Sequence, residues 1–243
     1  MDLKMIIAFG FIAGVGGCVL GAFFTYPVRL NRRATSIFLE FFSGVTLAVV
    51  CFCLIPGAFR LGIRYVTFLG LAGGAAFAVI LQSLIKYIPK KISERKMRVR
   101  ATGAVVAVVS ILMNFTEGMA IGSGFWISAA VGIPAFVAIM LNNMPKGAVI
   151  CASLRFGGVK MPSIIAVSLL MGLPTGAGTV LGIMLGGACP DLIAAAVSFA
   201  GGAMLYVSEG ELIPESKKLY SGRSSGFFNV LGIVLGAIIV YII

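Results

Sequence analysis

Gly44-Val-Thr-Leu47-Ala-Val49, running on to Leu54-Ile55-Pro56, returns later in the chain as Gly202-Ala-Met-Leu205-Tyr-Val207, running on to Leu212-Ile213-Pro214, with every offset preserved. Each copy lies in an apolar run, 37–59 and 192–213, of the length a helix needs to cross bilayer hydrocarbon, roughly 20 residues. Runs of the same kind cover 5–26, 65–88, 101–125, 129–152, 163–185 and 226–243. The first follows Lys4 but is too long for a signal peptide and lacks a small-x-small cleavage site, so it is read as a helix of the mature chain. The expected fold is an all-α integral membrane protein of eight transmembrane helices. They form a single transmembrane domain over 1–243, which leaves little chain for anything else.

Composition excludes the main alternatives. Of 243 residues, 60% are hydrophobic and 11% charged, and the mean hydropathy of +1.09 is above what a solvated surface tolerates, so a water-soluble enzyme is ruled out. Histidine is absent, which removes His-based acid–base catalysis, Ser-His and Cys-His nucleophiles and HExxH zinc proteases together. The five cysteines, Cys18, Cys51, Cys53, Cys151 and Cys189, are odd in number and embedded in apolar sequence. They read as buried free thiols used for packing, and a disulfide framework is not indicated. An intramembrane enzyme would have only isolated Cys and Ser residues, with no base beside them.

The basic residues set the orientation. Loops 1–2, 3–4, 5–6 and 7–8 and their flanks hold fifteen Lys and Arg, against three (Lys4, Arg60, Arg64) on the other side. The positive-inside rule makes the first set cytoplasmic and puts both termini outside, in the cell membrane. The richest segment is a basic cytoplasmic loop at 89–100 between helices 3 and 4, within reach of anionic lipid headgroups. The net charge of +11 is thereby a topology signal, and no nucleic-acid partner is expected. Because helices 2 and 7 then run in opposite directions, the repeated segment belongs to an inverted repeat, an architecture typical of secondary transporters. It pairs helices 1–3 with 6–8 and helix 4 with helix 5, where Asn114-x-x-x-Gly118 matches Asn143-x-x-x-Gly147 and Glu117 falls opposite Lys146. Glycines at four-residue spacing, as at Gly70 and Gly74 or Gly232 and Gly236, predict close helix–helix packing.

Ionisable groups within spans are costly and are functional candidates by default. Glu117 and Lys146 lie within helices 4 and 5; Glu209 and Glu211 lie in the last third of helix 7. At spacings of three and four, Met113, Asn114 and Glu117 share a face of helix 4. Asn142, Asn143 and Lys146 repeat the spacing on helix 5, where Pro145 also frees the Leu141 carbonyl. On these residues alone two readings stay open: interhelical hydrogen bonding around one Glu117–Lys146 ion pair, or a transport site.

Met113-Asn-Phe-Thr-Glu-Gly-Met-Ala-Ile-Gly122 resembles the His-Asn-x-x-Glu-Gly motif of the ZIP (zinc- and iron-regulated transporter-like) metal transporters, and Asn142-Asn-Met-Pro-Lys-Gly147 is similar to their His-x-x-Pro-Glu-Gly motif. Gly201 to Ser216, with Glu211-Leu-Ile-Pro-Glu215, looks like the family's helix 7. The resemblance spans the chain. It implies eight helices, external termini, an inverted repeat and a mid-membrane two-metal site, whose matched positions here are Met113, Asn114, Glu117, Asn142 and Asn143, with Lys146 where the bridging carboxylate would be. Met113 and Asn142 replace the motif histidines. Thr175 stands where many members carry a helix 6 carboxylate, and Cys53 where Glu211 stands in the helix 7 copy; with Glu209 these complete the pathway candidates.

The resemblance implies a secondary carrier moving a divalent metal, zinc foremost, toward the cytoplasm by alternating access, without covalent chemistry and with no cofactor apart from the metal as substrate. Lys146 is expected to occupy the place of one metal and to pair with Glu117, leaving at most one exchangeable cation. The alternative is a non-transporting ZIP homologue acting as a membrane sensor or scaffold. Expected partners are the divalent cation, membrane lipid and a second copy of the chain in a homodimer.

Overall fold

The computed structural model describes residues 2–25, 32–87, 95–156, 158–186 and 189–242, with side-chain surroundings for all of these except 24–25, 84–87, 95–110, 149–150, 152–153, 156 and 186. Among the described residues every regular element is a helix. In order the helices are α1 (3–25), α2 (Arg32–Leu61), α3 (Arg64–Tyr87), α4 (Arg95–Ile127), α5 (Ala129–Phe156), α6 (Met161–Gly186), α7 (Pro190–Leu219) and α8 (Arg223–Ile242). Six of them, α1, α2, α3, α6, α7 and α8, are long and apolar enough to cross a membrane. Of the basic loop expected at 89–100, residues 89–94 lie outside the described residues. Residues 95–100 form the first turns of α4, since Arg and Lys are good helix formers and the run there contains no breaker.

Local sequence explains the irregularities. In α2 the hydrogen bonding loosens to a π-type turn over Val50–Leu54, and α7 does the same over Val207–Leu212. These two π turns run up to a proline, Pro56 or Pro214, two residues past the end, whereas a third π turn, over Ile12–Gly16 of α1, has no proline there. Neither ring can donate to the carbonyl one turn earlier. The two loosened turns therefore fall at corresponding places in the repeated sequence. On α5, Pro134 leaves the Ala130 carbonyl without its N–H, and the Cys53 thiol of α2 lies 3.8 Å from that oxygen. Between α5 and α6, Gly158 takes φ 81°, a left-handed conformation that favours glycine.

Close packing sorts the helices into two sets. Among the described residues, the glycines whose added Cβ would strike a neighbouring helix backbone do so within α1, α4, α5 and α6, or within α2, α3, α7 and α8. In the first set Gly21 abuts the Met144 carbonyl, Gly147 that of Cys18 and Gly118 that of Thr175. In the second, Gly44 abuts Asn229 and Gly232 abuts Phe41, while Gly202 abuts Leu71 and Gly74 abuts Phe199. The last two contacts are the first two carried along by the residue shift that takes Gly44 onto Gly202. Between the sets lies an apolar seam that mixes small side chains such as Ala13, Ala120 and Ala138 with large ones such as Leu54, Ile121 and Met204.

A buried cluster of hydroxyls ties the second set. The hydroxyls of Ser36 (α2), Ser216 (α7) and Ser225 (α8) lie 2.8 to 3.3 Å apart, and Ser225 donates to Glu40 Oε1 at 3.2 Å. Glu40 is buried, an intramembrane carboxylate that the sequence reading did not single out. The expectation of buried thiols holds for Cys18, Cys53 and Cys151 and fails for Cys51 and Cys189, which are exposed. Cys51 sits on the loosened turn of α2, and Cys189 lies in the connection before α7.

Candidate functional site

Spacing on α4 and α5 creates a compact polar site within the first helix set. Asn114 and Glu117 are three residues apart on α4, as are Asn143 and Lys146 on α5, so each pair projects from one face. The Lys146 ammonium lies 2.6 Å from Glu117 Oε1, 2.9 Å from Asn114 Oδ1 and 3.0 Å from Asn143 Oδ1. An ammonium has three hydrogens to donate and here finds three oxygens. The ion pair is enclosed, with 12% of the Lys146 side chain and 2% of that of Glu117 exposed.

Neighbouring helices fix the amides. Asn114 Nδ2 donates to the Met171 carbonyl of α6 at 2.8 Å, and Asn143 Nδ2 to the Ala13 carbonyl of α1 at 3.4 Å. Both amide oxygens are thereby turned toward the cation. Asn142 Nδ2 donates to Glu117 Oε1 at 3.1 Å, and Thr46 of α2 reaches Asn142 Oδ1 at 3.5 Å, a hydrogen bond that crosses between the two helix sets. One carboxylate oxygen thus carries both the ammonium and an amide. The other, Glu117 Oε2, is buried with no hydrogen-bond partner, an unspent acceptor of the kind that costs free energy unless something else uses it.

The remaining candidates divide. Met113 packs into an apolar cluster with Ala78 and Leu81 of α3 and Ala203 and Val207 of α7, away from the polar knot. Thr175 is buried on α6 beside Gly14 and Gly118, and its hydroxyl has no partner. Cys53 lies 3.7 Å from the Val131 carbonyl, on the turns of α5 before the site. Glu209 is exposed and Glu211 half-buried on the loosened turn of α7. Among the described residues no three His, Cys, Asp or Glu side chains come together as a metal-holding group.

Sequence reasoning missed the contribution of α1. Cys18 is fully buried, its sulfur is 4.0 Å from Asn114 Nδ2, and its carbonyl is covered by Gly147. The glycines Gly14, Gly17 and Gly21 signal that α1 packs closely, but not which of its side chains faces the polar knot.

The family model described as ZIP Zinc transporter matches residues 86–243. The chain belongs to the ZIP family. Relatives of this ZIP protein include the zinc transporter GufA of Myxococcus xanthus, 32% identical over 53% of the chain and 51% of the relative. The zinc transporter foi of Drosophila melanogaster is 27% identical over 54% of the chain and 19% of the relative. The zinc transporter ZupT of Stenotrophomonas maltophilia (strain R551-3) is 36% identical over 32% of the chain and 31% of the relative. The chain spans about half the length, or less, of the curated relatives it matches. Family and span-forming helices together make this ZIP protein an integral membrane protein.

Proposed function

We propose that this ZIP protein is a carrier that moves a divalent cation, zinc foremost, toward the cytoplasm, with the Lys146 ammonium occupying one of two cation positions. The observation that carries the reading is the ammonium itself, held by the oxygens of Glu117, Asn114 and Asn143. These are the donors an oxygen-rich cation site would use. A tethered cation in one position leaves room for at most one exchangeable ion, with Glu117 Oε2 as its anionic anchor. Zinc comes from the relatives, three of which are described as zinc transporters.

Alternating access is supported by the division into two closely packed sets meeting at an apolar seam. The polar knot resides in the first set, and a shift of that set against the second would carry it without breaking the glycine contacts. The matched contacts Gly44·Asn229 with Gly202·Leu71, and Gly232·Phe41 with Gly74·Phe199, support an inverted repeat pairing α1–α3 with α6–α8. The same reading makes α4 and α5 membrane spans as well, eight in all, within one transmembrane domain. Both termini lie outside the cytoplasm, and lipid and a second copy of the chain are neighbours.

A second reading, a non-transporting homologue acting as sensor or scaffold, is favoured by one feature: Glu117 and Lys146 already neutralise each other. Metal-by-metal uptake into vesicles containing the purified protein separates the two. The carrier accumulates zinc above protein-free vesicles, whereas the homologue accumulates no divalent ion.

A further inference from the structure

Glu40 is a second buried carboxylate within a span-forming helix, 2% exposed. Unlike Glu117, it has no Lys or Arg partner among the described residues. Its carboxylate receives the Ser225 hydroxyl at 3.2 Å, while the amide of Asn229 is spent on the Glu40 backbone carbonyl. An ionised carboxylate so placed is expensive without a counter-ion. The basic side chains at this end of the second set are turned elsewhere. Arg33 lies over the ring of Tyr220, Lys218 pairs with Glu215, and Arg32, Lys217 and Arg223 are exposed.

The hydroxyls beside Glu40 are short of hydrogens. Ser36, Ser216 and Ser225 lie 2.8, 3.0 and 3.3 Å from one another. Each also has an acceptor outside that triangle: the Tyr220 carbonyl for Ser36, the Ser36 carbonyl for Ser216, and Glu40 Oε1 for Ser225. A hydroxyl owns one hydrogen and two lone pairs, so three hydrogens serve six contacts. Hydrogens drawn outward to the carbonyls and the carboxylate leave three oxygens facing one another with lone pairs alone, an arrangement that calls for a cation between them. The Tyr220 carbonyl, just beyond the end of α7, adds the negative end of that helix's dipole.

We propose that these groups form a sodium site, with hydroxyl oxygens of Ser36, Ser216 and Ser225 holding the ion and Glu40, one hydrogen bond away, supplying the charge. The donors are all oxygen, which suits a hard ion. A single carboxylate balances a single positive charge, so the occupant is monovalent, and oxygens this close together enclose sodium in preference to the larger potassium. Helix-end carbonyls serve sodium in the same way in other membrane carriers. Bound there, the ion neutralises Glu40 and joins α2, α7 and α8, bracing the second set as one body. The inference stands apart from the carrier reading, because the site shares no residue with Glu117 and Lys146.

The test measures radioactive sodium bound to the full chain in detergent by equilibrium dialysis, with potassium or choline as competitor, beside thermal unfolding in sodium and choline chloride of equal ionic strength. Wild type should bind one sodium per chain, resist competition by potassium better than by unlabelled sodium, and melt higher in sodium through binding linkage. Glu40→Gln and Ser225→Ala should each weaken binding by about tenfold or more and lose the sodium-dependent shift. Ser43→Ala, one turn along α2 from Glu40, should keep both. No sodium bound by wild type, potassium competing equally, or binding undiminished in Glu40→Gln or Ser225→Ala overturns the site. The wild-type measurement decides against it even where neither variant folds, and because no divalent ion is involved, its failure leaves the carrier reading standing.

Discussion

The Lys146 ammonium and Glu117 Oε1 stand 2.6 Å apart on adjoining helices, and the ammonium gives its other two hydrogen bonds to Asn114 and Asn143. The pair is therefore part of a cage in which three side-chain oxygens surround a positive charge. If that charge stands in for a metal ion, Lys146→Glu should exchange a built-in cation for an external one. Two facing carboxylates without a cation repel. Bound metal per protein should rise by one, and thermal stability should become strongly metal-dependent through linkage. No gain in metal, with equal destabilisation in both conditions, would favour the non-transporting homologue.

Removing the ammonium alone leaves a buried carboxylate unpaired. Lys146→Met should cost about 3–5 kcal/mol, whereas Lys146→Met combined with Glu117→Gln should recover most of that loss, because a neutral pair no longer carries an uncompensated charge. Thermal unfolding in detergent without added metal checks this. Similar stabilities for the single and double variants would mean that the pair contributes little to holding α4 against α5.

Glycine contacts give a test of the packing. Gly74→Ala would drive a methyl group into the Phe199 carbonyl and should destabilise by about 1–3 kcal/mol, the usual range for overpacking. Gly226, with nothing near its added Cβ, is the control. Gly226→Ala should be neutral or stabilise by up to about 1 kcal/mol, since alanine has the higher helix propensity. Equal effects at both positions would contradict the close approach of α3 and α7.

Orientation is testable independently of transport. A reporter active only outside the cytoplasm, fused after Ile243, should be active, given the fifteen-to-three distribution of basic residues. An inactive reporter on a well-inserted protein would reverse the direction assigned to the carrier.

The helical fold was legible because long apolar runs have few alternatives to a spanning helix, whereas the loosened turns inside the repeated Gly44 and Gly202 segments appear only in the structure. The Glu117–Lys146 pair was legible for a similar reason, since two charges in apolar sequence must find each other or a cavity. Met113 was harder: at one helical step from Asn114 it can face either the knot or the neighbouring helices, and packing against Ala78 and Val207 decided for the latter. Cys18 and Glu40 escaped because their significance is tertiary. Nothing within α1 marks the face that meets Asn114, and Ser225, which donates to Glu40, stands on α8, far from it in sequence.

Zinc uptake into vesicles reconstituted with wild type or Glu117→Gln tests the carrier most directly. The account predicts saturable uptake by wild type and none above protein-free vesicles for Glu117→Gln, which should still insert, because Glu117 is the carboxylate in the cage and amides alone hold a divalent ion weakly. Undiminished uptake by Glu117→Gln would move the pathway away from the cage, with Glu209 and Glu211 the next residues to test, and no uptake by wild type would contradict the carrier altogether.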